Sequence, residues 1–430
     1  MGLLRFYYDK IIVDNLNKLD DEAKNYILND WSPDSSDISV TNYYIQVEND
    51  ILQQFGEVLG DKLKEQIWKV VRSLRRINNT PEDISQQFQT LLEINASLPA
   101  QRTPDWYAFR ENMITASSWG NVLGMVGSVN ELLLQKLGYE PAQFNGNEFT
   151  VWGTKYEPVA TSVYEKREGK EIIEFGCLRH PDKENFFLGA SPDGISADGV
   201  MLEIKCPPKR KIGPIPTDYY WSQMQGQLEV CNLEKCDFLE CKLEEYETKE
   251  EYEDDLDLEK MCTKSEGQES GIVLTFKDKE ENLHYFYSEF FAHGETQDKW
   301  MIDILKKCQK DRWEYVGASY WKIVIYQVNP VFRDREWFAE TREKLKQFYD
   351  MWQFYKKEGY ESLIPKKTKN KHVSCYDGVC NDKGEEVKVK KLTSFGFSST
   401  KAPKKDIPPE KDFEKKKTVK TVKKMGFAFK

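Results

Sequence analysis

Histidine is scarce in this chain: four residues in 430, at positions 180, 284, 293 and 372. That scarcity argues against a histidine-rich metal centre of the zinc or copper kind. Long apolar runs are missing too. No stretch approaches the ~18 to 20 uninterrupted apolar residues of a membrane-spanning helix. The opening Met1-Gly-Leu-Leu-Arg-Phe-Tyr-Tyr lacks the charged start and long apolar stretch of a secretory signal. These absences predict a soluble, intracellular protein with no membrane partner. The nine cysteines, an odd number at uneven spacings, read as free thiols rather than as a disulfide framework.

What is present is globular. With 39% hydrophobic and 13% aromatic residues the chain can bury a sizeable core, and its length suggests roughly two or three domains. The formal charge of -10 argues at face value against a partner as acidic as DNA, but the charge is unevenly placed. From Lys366 to the end there are 19 Lys, no Arg and 8 Asp+Glu, a net +11, which leaves -21 for the rest. Between Glu240 and Glu259, 11 acids face only Lys242 and Lys249, the pattern of a solvated helix face or loop.

Three regions follow. Residues 1–97 read as helical: apolar positions from Ile51 to Leu74 recur every three or four residues. Thr80-Pro81-Glu82-Asp83 carries an N-cap, a proline at the first helical position and first-turn acids, so another helix should start there. Lys69, Arg72, Arg75 and Arg76 cluster near a helix end, where they either border a DNA channel or complement the helix dipole. Residues 98–362 mix short β-branched or aromatic runs (171–175, 186–189, 201–205, 271–276, 322–326) with helical stretches such as 337–355, which predicts an α/β core. Residues 363–430 are Lys-rich and poor in apolar residues and read as a disordered tail able to hold DNA non-specifically.

The informative stretch is GASPDGISADGVMLEIKCP, residues 189–207. Ser191-Pro192-Asp193-Gly194 is a turn signal, and Met201 to Lys205 reads as a returning strand. Side chains alternate along a strand, so Glu203 and Lys205 share a face and meet Asp193 across a hairpin. Two converging carboxylates repel unless a cation lies between them, and oxygen ligands of this type suit Mg2+ or Mn2+. A neighbouring lysine then positions a water for attack on a phosphodiester.

Asp193 followed by Glu203-Ile204-Lys205 resembles the PD-(D/E)xK nuclease superfamily, and SPDG…LEIKCP resembles its lambda-exonuclease-like branch, the YqaJ viral recombinase family. The likeness extends to Trp106 with Arg110-Glu-Asn-Met-Ile-Thr-Ala-Ser117, to Gly153-Thr-Lys-Tyr-Glu157, and to the Q-x-Q pattern in Trp221-Ser-Gln223-Met-Gln225. It covers 98–241, one third of the chain. It implies a restriction-endonuclease-like α/β core, a mixed central sheet flanked by helices, with the helical region before it and the basic tail after it.

The resemblance also implies roles. Asp193, Glu203 and the Ile204 carbonyl ligate Mg2+, for which Mn2+ substitutes. Glu157 completes the metal site or binds through water, Lys205 positions the nucleophile, and Gln225 is an auxiliary contact. Arg110, Thr115 and Ser117 grip a phosphate. A helix start at Thr115-Ala-Ser117-Ser118 would support that grip. The activity implied is a DNA exonuclease working 5′ to 3′ from duplex ends for recombination, repair or replication. Its implied setting is the host cytoplasm or nucleus, its partners a single-strand annealing protein or replication factor, and its assembly a ring-shaped homo-oligomer. An endonuclease with the same site, or a silent DNA-binding scaffold, stands as the alternative.

Overall fold

The computed structural model describes residues 2–32, 38–55, 60–77, 81–139, 148–212 and 217–364, together with 379–380 and 386–387. Residues 1–365 form one compact unit and 366–430 a second. Apart from the ladder of Val379–Cys380 with Glu386–Val387, the lysine-rich tail lies outside the described residues.

Five helices open the chain: α1 (Gly2–Lys18), α2 (Asp21–Asn29), α3 (Ile38–Phe55), α4 (Gly60–Ile77) and α5 (Pro81–Asn95). The period running through 51–74 is divided between α3, which ends at Phe55, and α4, which begins at Gly60. Helix α5 begins at Pro81, as the proline signal predicts. Ile12, Trp31, Val47, Ile67 and Val71 form a core for these helices, and Phe332 from the last long strand packs in it too. The helical region is therefore seated directly on the α/β core.

That core holds α6 (Pro104–Arg110), α7 (Trp119–Val122), α8 (Val129–Lys136), α9 (Glu148–Glu168), α10 (Asp218–Cys231), α11 (Lys249–Asp255), α12 (Gly294–Lys310) and α13 (Arg335–Glu358). Its strands are β1 (Ile114–Thr115), β2 (Ile172–Ile173), β3 (Leu178–Arg179), β4 (Leu188–Ala190), β5 (Gly194–Ser196), β6 (Val200–Lys205), β7 (Lys235–Glu245), β8 (Leu256–Asp257), β9 (Cys262–Thr263), β10 (Ser270–Lys277), β11 (Leu283–Tyr287) and β12 (Glu314–Phe332). Seven strands make the central sheet in the order β11-β10-β12-β7-β6-β5-β2, and β1-β4-β3 make a small second sheet. The sheet is mixed: β6 and β7, joined through α10, run parallel, whereas the other pairs are antiparallel.

Helices cover both faces. On one, Met201, Phe238 and Val331 meet Met224 and Leu228 of α10 and Phe348 and Trp352 of α13. On the other, Leu202, Ile204 and Leu239 meet Tyr156, Val159 and Val163 of α9. Strands buried on both faces read as the near-continuous apolar runs seen here. Helix α10 comes close to the 115–119 turn because position 226 is glycine: a Cβ there would lie 2.9 Å from Trp119 and 3.0 Å from Ala116. Among the described residues no helix is long and apolar enough to cross a membrane, and the cysteines at 177, 206, 231, 236, 241, 262 and 308 are free thiols.

Candidate active site

Strands β5 and β6 form the expected hairpin, with Gly194 opposite Leu202. Asp193, just before β5, reaches the end of β6, where its Oδ2 accepts from the Ile204 N–H at 2.6 Å. Along β6, Leu202 and Ile204 point to α9 and Glu203 points to α10. Glu203 is 1% exposed and takes three donors. Lys205 Nζ closes on Oε1, Gln223 Nε2 donates to Oε1 at 2.6 Å, and Gln227 Nε2 donates to Oε2 at 2.6 Å. Charge-assisted bonds of this kind are the strong ones and fix both carboxylate oxygens.

The auxiliary contact expected at Gln225 is corrected. Gln225 Nε2 donates to the Phe332 carbonyl at 2.8 Å and its Oε1 accepts from the Asp334 N–H at 2.7 Å, away from Glu203. Helical period is the reason: 223 and 227 are four apart and share a face, whereas 225 lies about 200° around from 223.

The site's charges govern one another. Burial, then repulsion by Glu203 and Glu157, pushes the Asp193 carboxyl well above the usual carboxylate range. Burial alone would lower Lys205, but Glu203 and Asp193 more than offset it and raise its pKa, so the group stays an ammonium. Lys205 is also the strand neighbour of Glu240. The acidic run that begins at Glu240 is not a wholly solvated face: residues 240–245 are strand, and Glu240 is 0% exposed. Arg210 closes on one oxygen of Glu240, while the other has no hydrogen-bond partner among the described residues. Lys205 Nζ and the Arg210 guanidinium each lie 5.5 Å from the Tyr220 ring, a favourable cation–aromatic separation.

Glu157 lies within α9, where both its oxygens meet Arg102 Nη2, at 2.8 and 2.7 Å. The donors near Asp193 are carboxylate and backbone oxygens, a set that fits Mg2+ or Mn2+ and not a thiol- or imidazole-seeking metal. Among the described residues no three acidic, histidine or cysteine side chains converge closely enough to hold an ion alone. An ion here would draw on Asp193, Glu203 and the Ile204 carbonyl, with Glu157 engaged by Arg102.

A second cluster stands nearby. Arg110 lies 3.9 Å above the Trp106 ring, with Nη2 3.4 Å from Thr115 Oγ1. Thr115 Oγ1 is 3.2 Å from Ser117 Oγ and 3.5 Å from Ser118 Oγ. Burial lowers the Arg110 pKa, and burial followed by Arg110 lowers Lys136 to about 8. The helix expected from 115 is only a single tight turn, Ala116–Ser118, followed by the four-residue α7. The cluster therefore presents a guanidinium and hydroxyls but no helix dipole of any length. Tyr219 links the clusters: its hydroxyl donates to the Ser117 carbonyl at 3.0 Å, and its neighbour Tyr220 lies beside Lys205.

Residues 105–234, which hold both clusters except Arg102, match the YqaJ-like viral recombinase domain. Over these residues the chain is similar to that family. It is 29% identical over 306 residues to an uncharacterized protein of Acanthamoeba polyphaga mimivirus, covering 62% of this chain and 55% of that one. The chain thus spans little more than half the length of this curated relative. Among solved structures it is similar to an alkaline exonuclease from Laribacter hongkongensis, at 20% identity and TM-score 0.36, over 60% of this chain and 95% of that one. It is also similar to the shutoff and exonuclease protein of Kaposi's sarcoma-associated herpesvirus, at 10% identity and TM-score 0.25, over 80% and 95%.

Proposed function

We propose that this chain is a metal-dependent DNA exonuclease that hydrolyses phosphodiesters from duplex ends, 5′ to 3′, leaving single strands for recombination, repair or replication. The convergence of Asp193, Glu203 and Lys205 on one hairpin, within a YqaJ-like domain, carries this reading. Bound by Asp193, Glu203 and the Ile204 carbonyl, Mg2+ or Mn2+ would neutralise charge on the scissile phosphate and make water a better nucleophile. Gln223 and Gln227 keep both Glu203 oxygens oriented. Lys205, held cationic by Glu203 and Asp193, orients the attacking water and offsets the developing phosphate charge. Arg110, Thr115 and Ser117 offer a fork and hydroxyls to a terminal phosphate, which favours starting at a 5′ end. The partners on this reading are duplex ends and the annealing protein or replication factor that receives the product.

The test is incubation with Mg2+ of linear duplex bearing 5′-phosphate, the same duplex bearing 5′-hydroxyl, and a covalently closed circle. The expected result is fastest loss of the 5′-phosphorylated linear form with the circle intact. Cleavage of the circle would assign an endonuclease, and binding without cleavage in either Mg2+ or Mn2+ would assign a silent scaffold.

A further inference from the structure

On the far side of α10 from Glu203 there is a cavity of about 100 Å3, between α4 and the turn that joins β12 to α13. Lys69, Arg72 and Ser73 line it from α4, and the run from Arg333 to Glu336 lines it from the turn. Four of these seven side chains are cationic and two are acidic, so what matters is which charges are already committed.

Arg333 is committed: it holds Glu229 at 2.7 and 2.9 Å and Asn232 at 2.7 Å. Arg335 is held by Glu234 at 2.8 Å. Lys69, whose side chain is 18% exposed, meets Glu336 at 2.7 Å, the Glu336 side chain being 66% exposed. Arg72 is different. Its one recorded contact is with the Trp68 ring at 5.8 Å, and among the described residues it makes no ion pair. The adjacent Ser73 is 6% exposed, and among the described residues its hydroxyl has no hydrogen-bond partner although it faces the cavity. A hydroxyl that lines a cavity can donate to a ligand oxygen placed there. The 24-residue α13 also begins here, its first turn capped by Asp334, which accepts from the Trp337 N–H at 3.1 Å.

We propose that this cavity is a phosphate site that takes one backbone phosphodiester of the nucleic acid, away from the scissile bond. Arg72 supplies the uncommitted charge and Ser73 the hydroxyl, with the Lys69 ammonium adding positive potential beside them. The assignment of the phosphate to a nucleic acid rests on the nuclease reading. Helix α10 ties the cavity to the catalytic carboxylate: Gln225 grips Phe332 and Asp334 at the cavity, while Gln223 and Gln227 on the opposite face grip Glu203. A strand held at this point is registered against the active site through one rigid helix, and local cations of this kind are needed where the rest of the chain carries -21.

The test uses the full chain without divalent metal, in two arms: calorimetric titration with inorganic phosphate, and anisotropy of a labelled duplex between about 50 and 200 mM salt. Ser73→Ala leaves the charge unchanged and is expected to weaken phosphate binding about fivefold, the size of one lost hydrogen bond. Arg72→Gln is expected to weaken both ligands and to make the slope of log K against log salt shallower by about 0.9, one phosphate contact. Lys306→Gln, a loose charge on α12, is expected to leave phosphate binding unchanged. The proposal is overturned if the wild type binds no phosphate, or if Ser73→Ala and Arg72→Gln bind it as the wild type does. Phosphate binding that depends on Ser73 in a protein that binds no duplex would support the site and overturn the nuclease reading instead.

Discussion

Arg102 holds both oxygens of Glu157 through a single nitrogen, at 2.8 and 2.7 Å, and does so from a left-handed backbone conformation with φ 65°. A cation on a side chain next to the Asp193–Glu203 pair competes with any ion that would recruit Glu157. The pair is partly exposed, so it is worth at most about 1 kcal/mol. Arg102→Ala is therefore expected to tighten Mn2+ binding up to about fivefold in calorimetry without DNA. Unchanged or weaker Mn2+ binding would show that Glu157 takes no part in holding the ion.

The three glutamines of α10 should separate cleanly. Gln227→Leu leaves Oε2 of the buried Glu203 without its glutamine donor and Gln223→Leu leaves Oε1 with Lys205 alone, and each is expected to lower kcat by about 10- to 100-fold with DNA affinity kept. Gln225→Leu removes the bonds to the Phe332 carbonyl and the Asp334 N–H, and is expected to cost about 1–3 kcal/mol of stability in urea unfolding with kcat kept. The opposite pattern would contradict the positions assigned to them.

Gly226→Ala tests the close approach of α10 to the 115–119 turn. Alanine normally favours a helix, yet the new methyl would press on Trp119 and Ala116, both buried. The expected net effect is a loss of about 1–3 kcal/mol, seen as a lower Tm. A raised Tm would mean that the turn yields without cost.

Lys136 gives a pH signature. Burial, then Arg110, lowers it from its ordinary 10.5 to about 8. Between these values the unfolded chain binds more protons than the folded one, so this group's contribution makes stability rise with pH through that window; below pH 8 its full cost is felt. The difference in urea midpoint between wild type and Lys136→Met is expected to change across pH 8 to 10.5 and to be flat below. A difference independent of pH would place the Lys136 pKa at its ordinary value.

Much of the centre was legible in the sequence because hairpin geometry is local. Asp193, Glu203 and Lys205 are brought together by a turn signal and by strand alternation, both of which are readable in one segment. Arg102 was not, since it meets Glu157 across 55 positions from a loop without a periodic signature. Gln223 and Gln227 left a signal in their spacing of four, on one helix face, where a Q-x-Q pattern drew attention to Gln225. Glu240 was hidden by its acidic neighbours: composition suggested solvent, whereas the strand pairing that carries it inside is with β12 and β6. The division of α3 from α4 was masked by an apolar period that continues in phase through two glycines.

The central claim is that Asp193, Glu203 and Lys205 form a phosphodiesterase centre, and single-turnover cleavage of a 5′-phosphorylated duplex with Mg2+ tests it most directly. Wild type, Glu203→Gln and Lys205→Ala are compared at matched, saturating DNA occupancy. The account predicts that both variants bind the duplex and cleave at least about 100-fold more slowly. Cleavage by either variant at the wild-type rate would contradict it.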